Sequence, residues 1–201
     1  QLGFMFCGMA TTVWHTGLFH VITHAFFKAL LFLGAGAVIV AMHHEQDIRK
    51  MGGLWRDLRW ISILFIVGAL ALMGVPPFAG FFSKDEILAA VHLAGEVNAG
   101  AWPVVFWMLV TAAALTAFYT TRLVILTFFG RPHDEHRHLH HVHWTMTVVL
   151  VLLAVLSIAG GWAGPIVEGV THAGWAESPW LHELPHEAAH VILFHAQQVH
   201  D

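Results

Sequence analysis

The sequence predicts an all-α polytopic membrane protein, a transmembrane helix bundle in which one helix is discontinuous. Three observations predict it. Hydrophobic residues fill 57% of the 201 positions and charged residues only 11%, against about 25% charged in soluble domains. Several stretches reach the roughly 20 mostly apolar residues that a bilayer crossing needs. One of them is interrupted by "GVPPFAG" at residues 74–80, where a continuous helix cannot run. The formal net charge of −4 offers no reason to expect a nucleic-acid partner. The single cysteine, Cys7, excludes a disulfide framework and any cysteine-ligated cluster held by this chain alone.

Taken in order, residues 1–13 read as the end of a helix that begins upstream, so the chain reads as a fragment of a longer one. Residues 17–42 form the first full span, with Lys28 its only formal charge. The 43–59 loop carries Arg49, Lys50, Arg56 and Arg59. Residues 60–95 form the interrupted span. Residues 101–129 form the next, containing Arg122, and the 130–143 loop after it holds Arg131 and Arg137. Residues 144–167 are the last span, and 168–201 a mixed segment on the other face. Neither 96–101 nor 165–201 has a Lys or Arg, so the positive-inside rule places the 43–59 and 130–143 loops in the cytoplasm or its topological equivalent.

Run on without interruption, residues 60–94 would measure roughly 50 Å, well beyond a bilayer core. Pro76 and Pro77 remove two backbone donors, and Pro77 drives its predecessor from helical geometry. Gly74 and Gly80 permit the dihedrals an interruption needs. One reading is two half-helices joined at membrane depth, with Lys84, Asp85 and Glu86 just past the join. The other is an ordinary span ending at Phe82, with 87–95 lying flat.

His20, His24 and Lys28 follow at intervals of four, so they share one helix face with about 6 Å between neighbours. Each gap is too long for a direct hydrogen bond, and a conducting row needs waters or neighbouring side chains. The chemistry suits proton transfer, because imidazole takes a proton on one ring nitrogen and gives one from the other. A lysine in low dielectric can exchange its proton. Histidines in membranes also serve as plain polar contacts between helices. Lys28, 11 residues from one end of its span and 14 from the other, is too deep to snorkel, and intramembrane ionisable groups are functional by default. Arg122 is a candidate intramembrane ion-pair partner for a carboxylate on another helix. The stretch "RPHDEHRHLHHVHW" holds six histidines in residues 133–143. They lack the spacing of a metal-ligand set, so it reads as a solvated linker and no metal site is expected.

The segments "FHVITHAFFKALLFLGAGAVIVAMHHEQDIRKMGGLW" and "GVPPFAGFFSKDEIL" resemble the L-subunit family of bacterial respiratory complex I, NADH-quinone oxidoreductase. Its antiporter-like members are relatives of Mrp antiporter subunits. The resemblance covers residues 15 to about 95 most strongly and implies the C-terminal half of a proton-translocating subunit in the bacterial inner membrane. It implies proton-relay roles for His20, His24 and Lys28 on a connecting helix, and for Lys84, with Asp85 beside it, on a broken one. It also implies that this chain binds no cofactor. NADH, FMN, iron–sulfur clusters and quinone are expected in partner subunits, and the first broken helix and a long lateral helix lie outside residues 1–201. The alternative is an Mrp-type Na⁺/H⁺ antiporter subunit. That branch tends to have a glutamate directly after the helix-break lysine, where this sequence has Asp85.

Overall fold

The computed structural model describes residues 1–11, 13–97, 100–131, 139–140 and 142–176, with side chains as far as Val170. Among these residues every regular element is helical. In chain order they are α1 (Leu2–Ala10), α2 (His15–Ala41), α3 (Leu54–Asp57), α4 (Arg59–Met73), α5 (Ala79–Val97), α6 (Trp102–Val124), α7 (Trp144–Ala159) and α8 (Gly164–Ala176). A π turn, Ile125–Phe129, prolongs α6, and a 3₁₀ turn, Gly160–Ala163, joins α7 to α8. Among the described residues three helical runs are long and apolar enough to cross a membrane: His15–Ala41, Trp102–Phe129 and Trp144–Val170. At 15 residues α4 is too short to cross alone.

The centre of the bundle is α2. Gly34 meets Phe65, Gly68 meets Leu30 and Leu31, Phe27 lies against Gly80, and His20 meets Ser83. Residue numbers therefore rise along α4 and α5 as they fall along α2. The two short helices together form one interrupted span lying antiparallel to α2. On another side α7 also runs antiparallel, with Leu150 near Gly34 and Gly160 near Phe26. Phe27, Leu30, Ala37, Leu54, Ala71 and Phe128 are wholly buried between these helices. Exposed tryptophans mark both ends of the spans. Trp60 and Trp144 open α4 and α7, while Trp107 and Trp162 lie towards the opposite end, as in the aromatic belts of membrane helices.

The interruption occupies residues 74–78, and α5 has already begun at Ala79, so no ordinary span runs to Phe82. Gly74 sits in the left-handed region at φ 81° and closes α4, its N–H reaching the carbonyls of Leu70 and Ala71 at 3.1 Å. Val75 N–H also donates to Leu70, at 3.1 Å. The Pro76–Pro77 peptide is cis. Gly80 lies inside α5, not in the interruption. A β-carbon there would fall onto the carbonyl oxygen of Ala71, so its missing side chain lets α5 touch the last turn of α4.

The 43–59 loop holds more order than its charges suggest. It contains α3, whose Trp55 stacks on Phe129 of the π turn with ring centroids 5.2 Å apart. Arg49 bonds Asp47 at 2.7 Å, and Lys50 bonds Glu45 at 2.9 Å. The Arg49 side-chain hydrogen bond holds Asp47 well below its ordinary carboxyl value, at about 2, and the Lys50 hydrogen bond lowers Glu45. Because both are depressed carboxylates, these bonds are fully made above the ordinary carboxyl values and are lost as pH falls, for Asp47 towards 2. A carboxyl NMR titration should give Asp47 a midpoint near 2. A midpoint at the ordinary 3.8 would show that the Arg49 contact does not persist in solution.

Candidate functional site

The interruption creates a chemical problem that a side chain solves. The last turn of a helix leaves its carbonyls without intrahelical partners. Here Leu70 and Ala71 are served by the backbone of Gly74 and Val75. Leu72 is served by Lys84, whose Nζ donates to its carbonyl oxygen at 2.5 Å. Lys84 starts on α5 and reaches back along the interruption, its Cδ 3.4 Å from the β position of Gly74. The ammonium thus lies at the negative end of α4 and 5.7 Å from the centroid of Phe4. Lys84 is 4% exposed, and among the described residues no carboxylate pairs with it. Its charge is balanced by a carbonyl, a helix end and a ring face.

One residue earlier, Ser83 points at α2. Its Oγ lies 2.9 Å from His20 Nδ1 and 2.9 Å from Thr23 Oγ1. The other ring nitrogen, Nε2, lies 3.2 Å from Gln1 Oε1. His20, Thr23 and Ser83 are wholly buried. The His20 and His24 rings are 6.1 Å apart between centroids, the gap that four-residue spacing dictates and too long for a direct bond. His24 and Lys28 are half-buried, and Lys28 Nζ lies 4.9 Å from the Phe32 ring. The row therefore spans from the mid-point of α2 to a junction with α5 beside Lys84.

Three of the residues singled out from sequence stand apart from this junction. Asp85 is exposed on α5, a rotation of about 100° from Lys84. Glu86 is half-buried instead, its Oε1 3.0 Å from the β position of Gly164 at the start of α8. Arg122 is exposed near the end of α6 and joins none of the ion pairs among the described residues. The pairing expected for it is not formed there. Sequence reasoning passed over Ser83, Thr23 and Gln1. The available signal was polarity, since Thr23 follows His20 at helical spacing and Ser83 precedes Lys84.

Among the described residues no three His, Cys, Asp or Glu side chains gather as a metal site. His43 and His140 approach with ring centroids 4.3 Å apart, and His140 N–H donates to Ala41 O at 3.0 Å. Residues 132–138 and 141 of the histidine-rich stretch lie outside the described residues.

Residues 1–116, which contain the interruption, the row and Lys84, match the transmembrane family described as NADH:quinone oxidoreductase/Mrp antiporter. The chain belongs to this family. Its relatives include NADH-quinone oxidoreductase subunit L of Rhodobacter capsulatus, 41% identical over 177 residues, covering 83% of this chain and 24% of that protein. The subunit L of Campylobacter jejuni is 50% identical over 139 residues, covering 69% of this chain and 22% of its own length. The chain thus spans about a quarter of these curated relatives. Among solved structures, a chain of the Mrp complex from Dietzia sp. superposes with a TM-score of 0.61 at 21% identity, covering 76% of this chain and 35% of that one. That likeness shows a shared fold. Family and helices together make this an integral membrane protein with an antiporter-like helix bundle.

Proposed function

We propose that this chain is part of a proton-translocating membrane subunit of an NADH:quinone oxidoreductase. Protons pass along the mid-membrane row of His20, His24 and Lys28 and exchange with Lys84, driven by quinone reduction in partner subunits. The observation that carries the reading is Lys84, an ammonium buried at a helix interruption without a carboxylate partner among the described residues. It sits next to a serine that bonds the first histidine of the row. A lysine so placed can lose and regain a proton at modest electrostatic cost. Transfer across the 6.1 Å between the histidine ring centroids needs a bridging water. Asp85, exposed beside Lys84, is the outward acceptor.

NADH, FMN, iron–sulfur clusters and quinone belong to partner subunits, consistent with the absence of a dinucleotide or phosphate-loop motif here. Partner contact is also supported by the interruption itself. Val75, Pro76 and Pro77 are exposed, and irregular backbone at membrane depth needs protein or a wet cavity around it. The 43–59 loop, with Arg49, Lys50, Arg56 and Arg59, and the 130–143 loop, with Arg131 and Arg137, face the cytoplasm of the bacterial inner membrane.

The test uses inside-out vesicles carrying the whole complex with His20→Gln, His24→Gln and both substitutions together. NADH oxidation should acidify wild-type vesicles. Each single substitution should lower that proton flux at least about tenfold, towards the scale that a positioned acid–base group supplies. On a serial path the double variant should be no worse than the more damaged single one. Losses that multiply would argue against a shared path. Wild-type proton movement that requires Na⁺ in exchange, and ignores NADH, would favour the Mrp-type antiporter instead.

A further inference from the structure

A wholly buried histidine that changes protonation faces a difficulty. Neutral, its Nδ1 or Nε2 needs a donor; protonated, both nitrogens need acceptors. An unmet nitrogen in the protein interior would bias the group towards one state. Around His20 the described geometry answers this through one hydroxyl. Ser83 Oγ lies 2.9 Å from His20 Nδ1 and 3.3 Å from the carbonyl oxygen of Ala79, one turn back on α5. Thr23 Oγ1 has a matching choice, Ser83 Oγ at 2.9 Å or the carbonyl of His20 at 3.2 Å.

With the proton on Nε2 and directed at Gln1 Oε1, Nδ1 accepts from Ser83, and Ser83 accepts from Thr23. These three hydroxyl and ring contacts then form a single directed chain. When Nδ1 also holds a proton, it donates to Ser83 Oγ. The Ser83 hydroxyl then turns to the Ala79 carbonyl, while its second lone pair still accepts from Thr23. Both states leave every polar atom of the cluster bonded, and only hydroxyl hydrogens rotate.

We infer that Ser83, supported by Thr23, is the positioning residue that lets His20 carry either protonation state at the α2–α5 junction. This rests on the relay reading of His20 given above. The side chains whose charge reaches His20 are Lys84 on α5 and His24 on α2. Neither α4 nor α7 brings a titratable group to it. Glu168 of α8 acts on Glu86. Among the described residues no carboxylate therefore does the work assigned to the hydroxyl.

Ser83→Ala removes the acceptor from the charged imidazole, whose bond is roughly twice as strong as that of the neutral ring. The pH profile of proton flux in the assembled complex should therefore move to lower pH by about one unit. Thr23→Val, of nearly equal volume, should move it in the same direction by less. Ser83→Thr, which keeps the hydroxyl, should return the profile to its wild-type position.

The profile is read on whichever proton flux the wild type shows, NADH-driven or Na⁺-coupled. A wrong coupling assignment and a wrong role for Ser83 are then distinguishable. Should Ser83→Ala fail to assemble, Thr23→Val decides the matter. An unshifted profile in Thr23→Val, or in an assembled Ser83→Ala, would overturn the inference and leave Ser83 a packing contact.

Discussion

Lys84→Ala in the assembled complex is expected to lower proton flux by about 10²-fold or more, the scale of a lost acid–base group, while the subunit still assembles. Two roles meet in this side chain. As a cap, its ammonium satisfies the Leu72 carbonyl that the interruption frees, and losing that bond should cost about 1–3 kcal/mol of stability. As a relay, it must release its proton. Lys84→Arg separates the roles, because arginine keeps charge and donors yet stays protonated. The expected result is a Lys84→Arg complex more heat-stable than the alanine variant but equally unable to pump. Restored pumping with arginine would reduce Lys84 to a cap, and normal pumping with alanine would remove it from the path.

Gly80→Ala should do its damage earlier, at folding and assembly. The added methyl would meet the carbonyl oxygen of Ala71, and both atoms belong to backbone, so neither can rotate away. Overpacking of this kind costs about 1–3 kcal/mol. Here it also pries α5 from the end of α4, which would carry Lys84 off Leu72. The amount of assembled complex and its thermal midpoint should fall, and proton flux per complex should fall with them. Gly36→Ala is the control. A β-carbon there meets nothing within 4 Å, and alanine is the better helix former by about 1 kcal/mol. That variant should be neutral or slightly stabilised. Equal behaviour of the two variants would mean the α4–α5 contact is not tight in the assembled protein.

Much of the fold is legible in one dimension because membrane helices satisfy their own backbone. Length, apolarity and charge then suffice to mark where they run. The His20–His24–Lys28 row follows from helical spacing alone, and the 6.1 Å between the two ring centroids is that spacing made visible. "GVPPFAG" marks an interruption by the chemistry of proline. Its limits were less legible, since Gly80 has the composition of a loop and the position of a packing contact.

Which neighbour a face meets depends on atoms distant in sequence, and there the one-dimensional signal stops. Lys84 and Asp85 are adjacent in the chain, yet one is buried against Leu72 and the other exposed. Only the docking of α5 beside α2 and α4 decided between them. Arg122 carries the same formal charge as Lys84 and finds no carboxylate among the described residues. The sequence by itself determined the membrane class, the interruption and the charged row, because each is set by local composition and period. The tertiary structure alone decided that Ser83 and Thr23, 60 residues apart, meet at His20. It also decided that Lys84 closes the helix end that Pro76 and Pro77 open. Hydrogen bonds between helices depend on register and rotation, which no local pattern encodes.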